Sequence, residues 1–118
     1  MKTIEINKET YVAKSDYDKL AKTKAGKTIV NGKEIPFVVG GKYFIRTVTY
    51  FATGEVEEIK GDFLVMKYAA WIADTGRFNE ALATGVLNEI EPVGEMFLNM
   101  NTITDAFPWK HNLPKEAK

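Results

Sequence analysis

Residues 63–72, FLVMKYAAWI, are apolar at both alternating positions, with Lys67 the only charge. Successive side chains of a strand point to opposite faces, so a strand with one wet face alternates apolar with polar. This run does not alternate, and it is too short to cross a membrane as a helix. It reads as a strand buried on both sides, or as one whose second face meets another subunit.

The flanking sequence places two strands before it. Tyr43 to Phe51 is rich in β-branched and aromatic residues, with Tyr43, Ile45, Thr47, Thr49 and Phe51 on one face and Phe44, Arg46, Val48 and Tyr50 on the other. Ala52-Thr53-Gly54 predicts a turn, Glu55 to Lys60 a polar strand, and Gly61-Asp62 a second turn. After the apolar run, Asp74-Thr75-Gly76 opens a helix of about two turns. In it Phe78, Ala81 and Leu82 fall at helical spacing, Asp74 or Thr75 is the expected N-cap, and Gly85 is the stop. Val86 to Glu91, Gly94 to Met100 and Thr102 to Phe107 then predict three further strands.

Before this core, residues 1–42 form an expected appendage. Thr3 to Ile6 predicts a short strand, and Ser15 or Asp16 caps a helix over Tyr17 to Lys22. Asn31-Gly32 between TIV and KEIPFVV predicts a tight hairpin whose two central residues adopt positive φ. Pro36 confines the second of those strands to an edge or bulge, because proline cannot donate to a ladder. The expected organisation is an N-terminal helix and hairpin appendage (1–42), a β-rich core (43–114) and a frayed tail (115–118). The fold class is mainly β (α+β), a small, strongly bent sheet or a barrel of SH3 or Sm size with one short helix after the central strand.

Composition narrows the chemistry. With no cysteine, disulfides, thiolate metal sites and a cysteine nucleophile are excluded. Net charge is zero but unevenly spread: residues 1–42 carry nine Lys against five acids, and residues 43–118 carry seven Lys and Arg against eleven acids. The excess on the first segment solvates it or meets an acidic partner; a dedicated duplex-binding surface carries a larger basic excess, which disfavours duplex nucleic acid. The N-terminus MKTIEINKETY has no signal-like apolar run, so the expected compartment is the cytoplasm and no membrane partner is expected.

Catalytic constellations are sparse. Asp74-Thr75-Gly76 after an apolar strand matches the short motif of aspartic proteases, but Arg77-Phe78 follow where those enzymes carry a small residue and then an acidic or hydroxyl one. His111 is the single histidine and Ser15 the single serine, and no nucleophile-elbow or zinc-helix motif accompanies them. No catalytic residue, metal site or cofactor is therefore assigned. Glu55, Glu57, Glu58 and Asp62 surround one hairpin, an arrangement more typical of a solvated edge than of a cation site. Arg46, Asp74, Thr75 and Arg77 are the candidate contacts for a small anionic or nucleotide-like ligand, from the pairing of a helix start with arginine. Aromatic residues are too many for a small interior, so Trp71, Trp109 and His111 are candidate interface residues.

The segments YFIRTVTYFATGEVEEI, FLVMKYAAWIADTGRFNEAL and DAFPWKHNLP resemble a group of short, uncharacterised proteins encoded in bacterial genomes and bacteriophages. Those proteins share an IRTVT strand, a Thr-Gly turn, an AWIADTGRF segment, a Glu-x-Glu-Pro segment and a closing Trp-x-His-x-Leu-Pro, over what correspond to residues 43–114. The resemblance implies a phage or prophage accessory protein, acting in the host cytoplasm where phage-encoded, and it supplies no mechanism. Together these features predict a non-enzymatic, self-associating binding protein that sequesters a nucleotide-like ligand or engages a host protein. The alternative is a structural component of a virion or other assembly, and a small hydrolase comes third.

Overall fold

A computed structural model describes residues 28–118. The strand expected at Thr3 to Ile6 and the helix expected at Tyr17 to Lys22 lie outside the described residues. The chain divides after Val39 into two units, 1–39 and 40–118. In the first, β1 (Thr28–Val30) and β2 (Lys33–Ile35) form the hairpin expected from Asn31-Gly32. Both central residues lie at positive φ, 52° and 80°, the conformation that such a turn demands.

The second unit is a mainly β fold with one helix. Its strands are β3 (Lys42–Thr47), β4 (Phe51–Lys60), β5 (Phe63–Asp74), β6 (Glu89–Asn99) and β7 (Ile103–Pro108). They form one antiparallel sheet in the order β6-β5-β4-β3-β7. The long apolar run is thus a central strand, flanked by β4 and β6. The last strand returns past three others to pair with the first, after a 3₁₀ turn at Met100–Thr102. Among the described residues β6 and β7 remain the two outer strands, so hydrogen bonding does not close the sheet into a barrel.

Three local expectations are corrected. Ala52, Thr53 and Gly54 lie inside β4, and the first reversal occurs at Val48 to Tyr50. Thr47 builds that turn: its Oγ1 donates to Tyr50 O (2.7 Å) and accepts from the N–H of Tyr50 (3.0 Å) and of Thr49 (3.3 Å). Gly54 serves packing instead, because a Cβ there would lie 3.0 Å from Met66 and 3.3 Å from Ala69 Cβ. The segments expected as separate strands around Pro92 form a single strand, β6, with irregular register beside Pro92 and Gly94. The helix α1 (Phe78–Thr84) starts from Arg77 without a side-chain cap; Asp74 Oδ1 accepts from Gly76 N–H (2.8 Å) and shapes the preceding turn. Gly85 ends the helix in the left-handed conformation, as expected.

The core sits where β3, β5, β6, the helix and the C-terminal segment meet. Phe44, Ala70, Ile72, Ala81, Leu87, Ile90, Trp109 and Leu113 form one buried cluster, with Phe51, Phe78, Leu82 and Phe107 against it. Phe44 is its hub, with ring centroids 5.3 Å from Phe78 and 5.9 Å from both Phe51 and Trp109. A two-turn helix is unstable alone, and Ala81 is its only fully buried residue, so packing on this cluster holds it.

Candidate interaction surface

The apolar run does bury residues from both faces. Leu64 and Met66 are wholly inaccessible, and Val65, between them on the opposite face, is also buried. That opposite face is incompletely covered. Val65 lies between Glu58 of β4 and Phe97 of β6, and Phe63 lies between Lys60 and Asn99. Phe63, Val65 and Phe97, with Glu58, Lys60 and Glu95 around them, line a shallow concavity of about 440 Å³. Phe97 is 65% exposed and Phe63 42% exposed. An apolar residue so exposed on a sheet leaves roughly 25 cal/mol per Å² of burial unrealised, a standing driving force for contact.

Further along β5, the register with β6 slips between Met66 and Ala69, leaving Lys67 and Tyr68 as the bulged residues. Tyr68 adopts φ 53°, an uncommon conformation for a bulky residue, and its side chain is 55% exposed. Trp71 is 51% exposed and packs at a tilt against Tyr50 of the β3–β4 turn, with ring centroids 5.7 Å apart. Exposed aromatic residues therefore recur along the whole of β5.

The residues expected to hold a ligand are not gathered into one pocket. Arg46 pairs with Asp105 directly across the β3–β7 ladder, its Nε donating to Oδ1 at 2.7 Å and its second nitrogen to Oδ2. The same guanidinium lies 5.3 Å from the Phe78 ring and 5.9 Å from the Phe107 ring, tying helix and strand together. This hydrogen bond lowers the pKa of Asp105 below its ordinary value and raises that of Arg46. Thr75 Oγ1 donates to Gly76 O, and Arg77 reaches Glu80 one helical turn on, at 3.8 Å on the open surface. The structure gives each of the four a local partner.

Two of the three expected interface residues face inward. Trp109 is 3% exposed, with its indole N–H donating to Asn112 O at 3.2 Å. His111 packs edge-on against Trp109 and donates from Nε2 to Leu82 O at 2.7 Å, satisfying a carbonyl in the last turn of the helix. Lys42 Nζ donates to the His111 carbonyl at 2.6 Å. These contacts fasten the C-terminal segment to β3 and α1, and Trp109 and Leu113 of this proline-bounded stretch are part of the core. Trp71 alone of the three presents a large face to solvent. Phe63, Tyr68 and Phe97 were not among the expected residues; the signal for Phe97 was Met96-Phe97-Leu98, apolar on both faces of a strand.

The acidic cluster is spread along the β4–β5 hairpin. Glu55 approaches Lys67 at 3.9 Å, Glu58 approaches Lys60 at 3.9 Å, and among the described residues no group of three metal-ligating side chains converges. No helix among the described residues is long and apolar enough to cross a membrane. The chain matches no family model, no curated relative and no solved structure.

Proposed function

We propose that this chain is a self-associating protein that acts by binding other protein surfaces through its β-sheet. The observation that carries this reading is the incompletely covered face of β5 and β6, where Phe63, Phe97 and Trp71 stay exposed on paired strands. Aromatic residues held on rigid strands make favourable contacts because little side-chain entropy is lost on binding. The polar residues around them, Glu58, Lys60 and Glu95, supply the rim expected of such a patch. The reading also accounts for a central strand apolar on both faces: one face is covered by the chain itself and the other by a partner.

The strand order supports viewing the sheet as an open relative of small SH3-type or Sm-type barrels, in which a bent five-stranded sheet leaves outer strands available for contact. An accessory role in the cytoplasm of a phage-infected host follows from the resemblance of residues 43–114 and remains part of the proposal. Ligand sequestration at Arg46, Asp74, Thr75 and Arg77 is less well supported, because each of these is occupied locally.

The test is sedimentation velocity on the wild type and on a variant carrying Phe63→Ser, Phe97→Ser and Trp71→Ser. Wild type should sediment as an oligomer, and the variant as a folded monomer with unchanged β-sheet circular dichroism. A wild type that stays monomeric at every concentration overturns the reading.

A further inference from the structure

The outer edge of β6 changes character halfway along. At its start the edge is closed, because Ile90 and Lys118 exchange both backbone hydrogen bonds, at 3.1 and 3.0 Å. Pro92 and the irregular register beside Gly94 protect the next stretch, since a proline or a bulge disrupts continuous pairing. From Glu95 to Asn99 no such device appears. Met100 N–H bonds Asp62 O on the β5 side at 2.8 Å. By the alternation of strand backbone, Met96 and Leu98 direct their N–H groups the same way, and Glu95, Phe97 and Asn99 direct theirs to the open edge. Among the described residues no strand lies beyond β6, and β6 contains no lysine or arginine to repel an approaching strand.

We infer that a second copy of this chain pairs with β6 along Glu95 to Asn99, antiparallel and about a two-fold axis at Phe97, so that two sheets become one. This deepens the self-association proposed above and rests on it. The register follows from the residues. With the axis at Phe97, Glu95 faces Asn99 of the second copy, Phe97 faces Phe97, and Met96 faces Leu98. Asn99 already uses its side-chain oxygen to accept from Asn101 N–H at 2.9 Å, which leaves its amide N–H₂ as the group that donates to the incoming carboxylate. Placing the axis at Glu95 would set two carboxylates opposite one another, a destabilising pair. Placing it at Met96 or Leu98 would shorten the ladder of outward-facing residues. The axis at Phe97 also brings the two exposed phenyl rings together beside the concavities lined by Phe63 and Val65, with aromatic cross-strand pairing adding to the ladder. The arrangement is isologous and closes at two copies, because the two-fold axis engages the same β6 segment on both chains.

Because the chain has no cysteine, single cysteines report this geometry cleanly. Phe97→Cys should form a disulfide-linked dimer on the order of tenfold or more faster than Val48→Cys in the exposed β3–β4 turn, since facing residues of an antiparallel pair have Cα atoms about 5.5 Å apart, within disulfide reach. An equimolar mixture of Glu95→Cys and Asn99→Cys, which keeps Phe97, should give the mixed disulfide in excess over either self-linked product. If both experiments show no preference while wild type is dimeric by sedimentation, the β6 edge is the wrong interface and self-association stands. If wild type is monomeric, both fall.

Discussion

Arg46 and Asp105 face each other across the β3–β7 ladder and join it with two side-chain hydrogen bonds. The pair sits at the joint between the first and last strands of the sheet, beside the Phe78 and Phe107 rings. It fixes the return of the chain and, through Phe78, the seating of the helix.

This pair predicts a pH dependence. The hydrogen bond from Arg46 lowers the Asp105 pKa in the folded chain, so the unfolded chain binds the proton more readily. The stabilisation is fully present above the ordinary carboxyl value of about 4 and is lost as pH falls from there through the lower folded value. Asp105→Asn should therefore melt lower than wild type at neutral pH, with the gap narrowing as pH drops below about 4. Thermal melts at a series of pH values check this; a constant gap would contradict it.

The two buried threonines of the early strands predict opposite outcomes for one substitution. Thr47 Oγ1 makes three hydrogen bonds that close the Val48–Tyr50 turn, so Thr47→Val should cost about 1–3 kcal/mol. Thr53 is fully buried and its Oγ1 has no hydrogen-bond partner among the described residues, so Thr53→Val should be neutral or stabilising by about 1 kcal/mol. Urea unfolding of both variants distinguishes them.

Gly85 and His111 predict a steric effect. Gly85 has φ 79°, and a Cβ there would lie 2.6 Å from His111 Cγ. Gly85→Ala should destabilise by at least the roughly 1–2 kcal/mol that a left-handed conformation costs other residues. Adding His111→Ala should relieve the clash but leave the backbone term, and it removes the hydrogen bond to Leu82 O, so recovery stays partial. Full recovery in the double variant would contradict this account.

The two tryptophans predict a contrast. Trp109→Ala removes a ring packed on Phe44 and His111 and should cost about 3–5 kcal/mol. Trp71→Ala, half-exposed with Tyr50 as its ring partner, should cost under about 1.5 kcal/mol in dilute protein, the range of an aromatic pair. Equal losses in chemical denaturation would contradict the assignment of one to the core and the other to the surface.

Local chemistry made much of this legible. Asn31-Gly32, Gly61-Asp62 and Gly85 each demand a particular backbone conformation, and each lies where the sequence placed it. The run from Phe63 to Ile72 reads as a central strand because alternation is absent there. Where a tertiary contact competed with a local preference, the tertiary contact decided. Gly54 looks like a turn residue, yet it sits in β4 because Met66 and Ala69 pack against its bare backbone. Pro92 looks like a strand end, yet an edge strand tolerates it. Trp109 reads as an interface residue because it lies beside Pro108 outside any clear strand, and no spacing rule shows that His111 and Lys42 pin that segment onto the core. Phe97 is hidden for the converse reason: its sequence reads as core, and only its position on an outer strand exposes it.

The central claim is that this chain associates with itself through its sheet, and native mass spectrometry of gently purified wild type tests it most directly. The account predicts a dimer at micromolar concentration that Phe97→Pro, which removes the outward N–H and the ring together, converts to monomer. A wild-type chain that remains monomeric up to its solubility limit would contradict it.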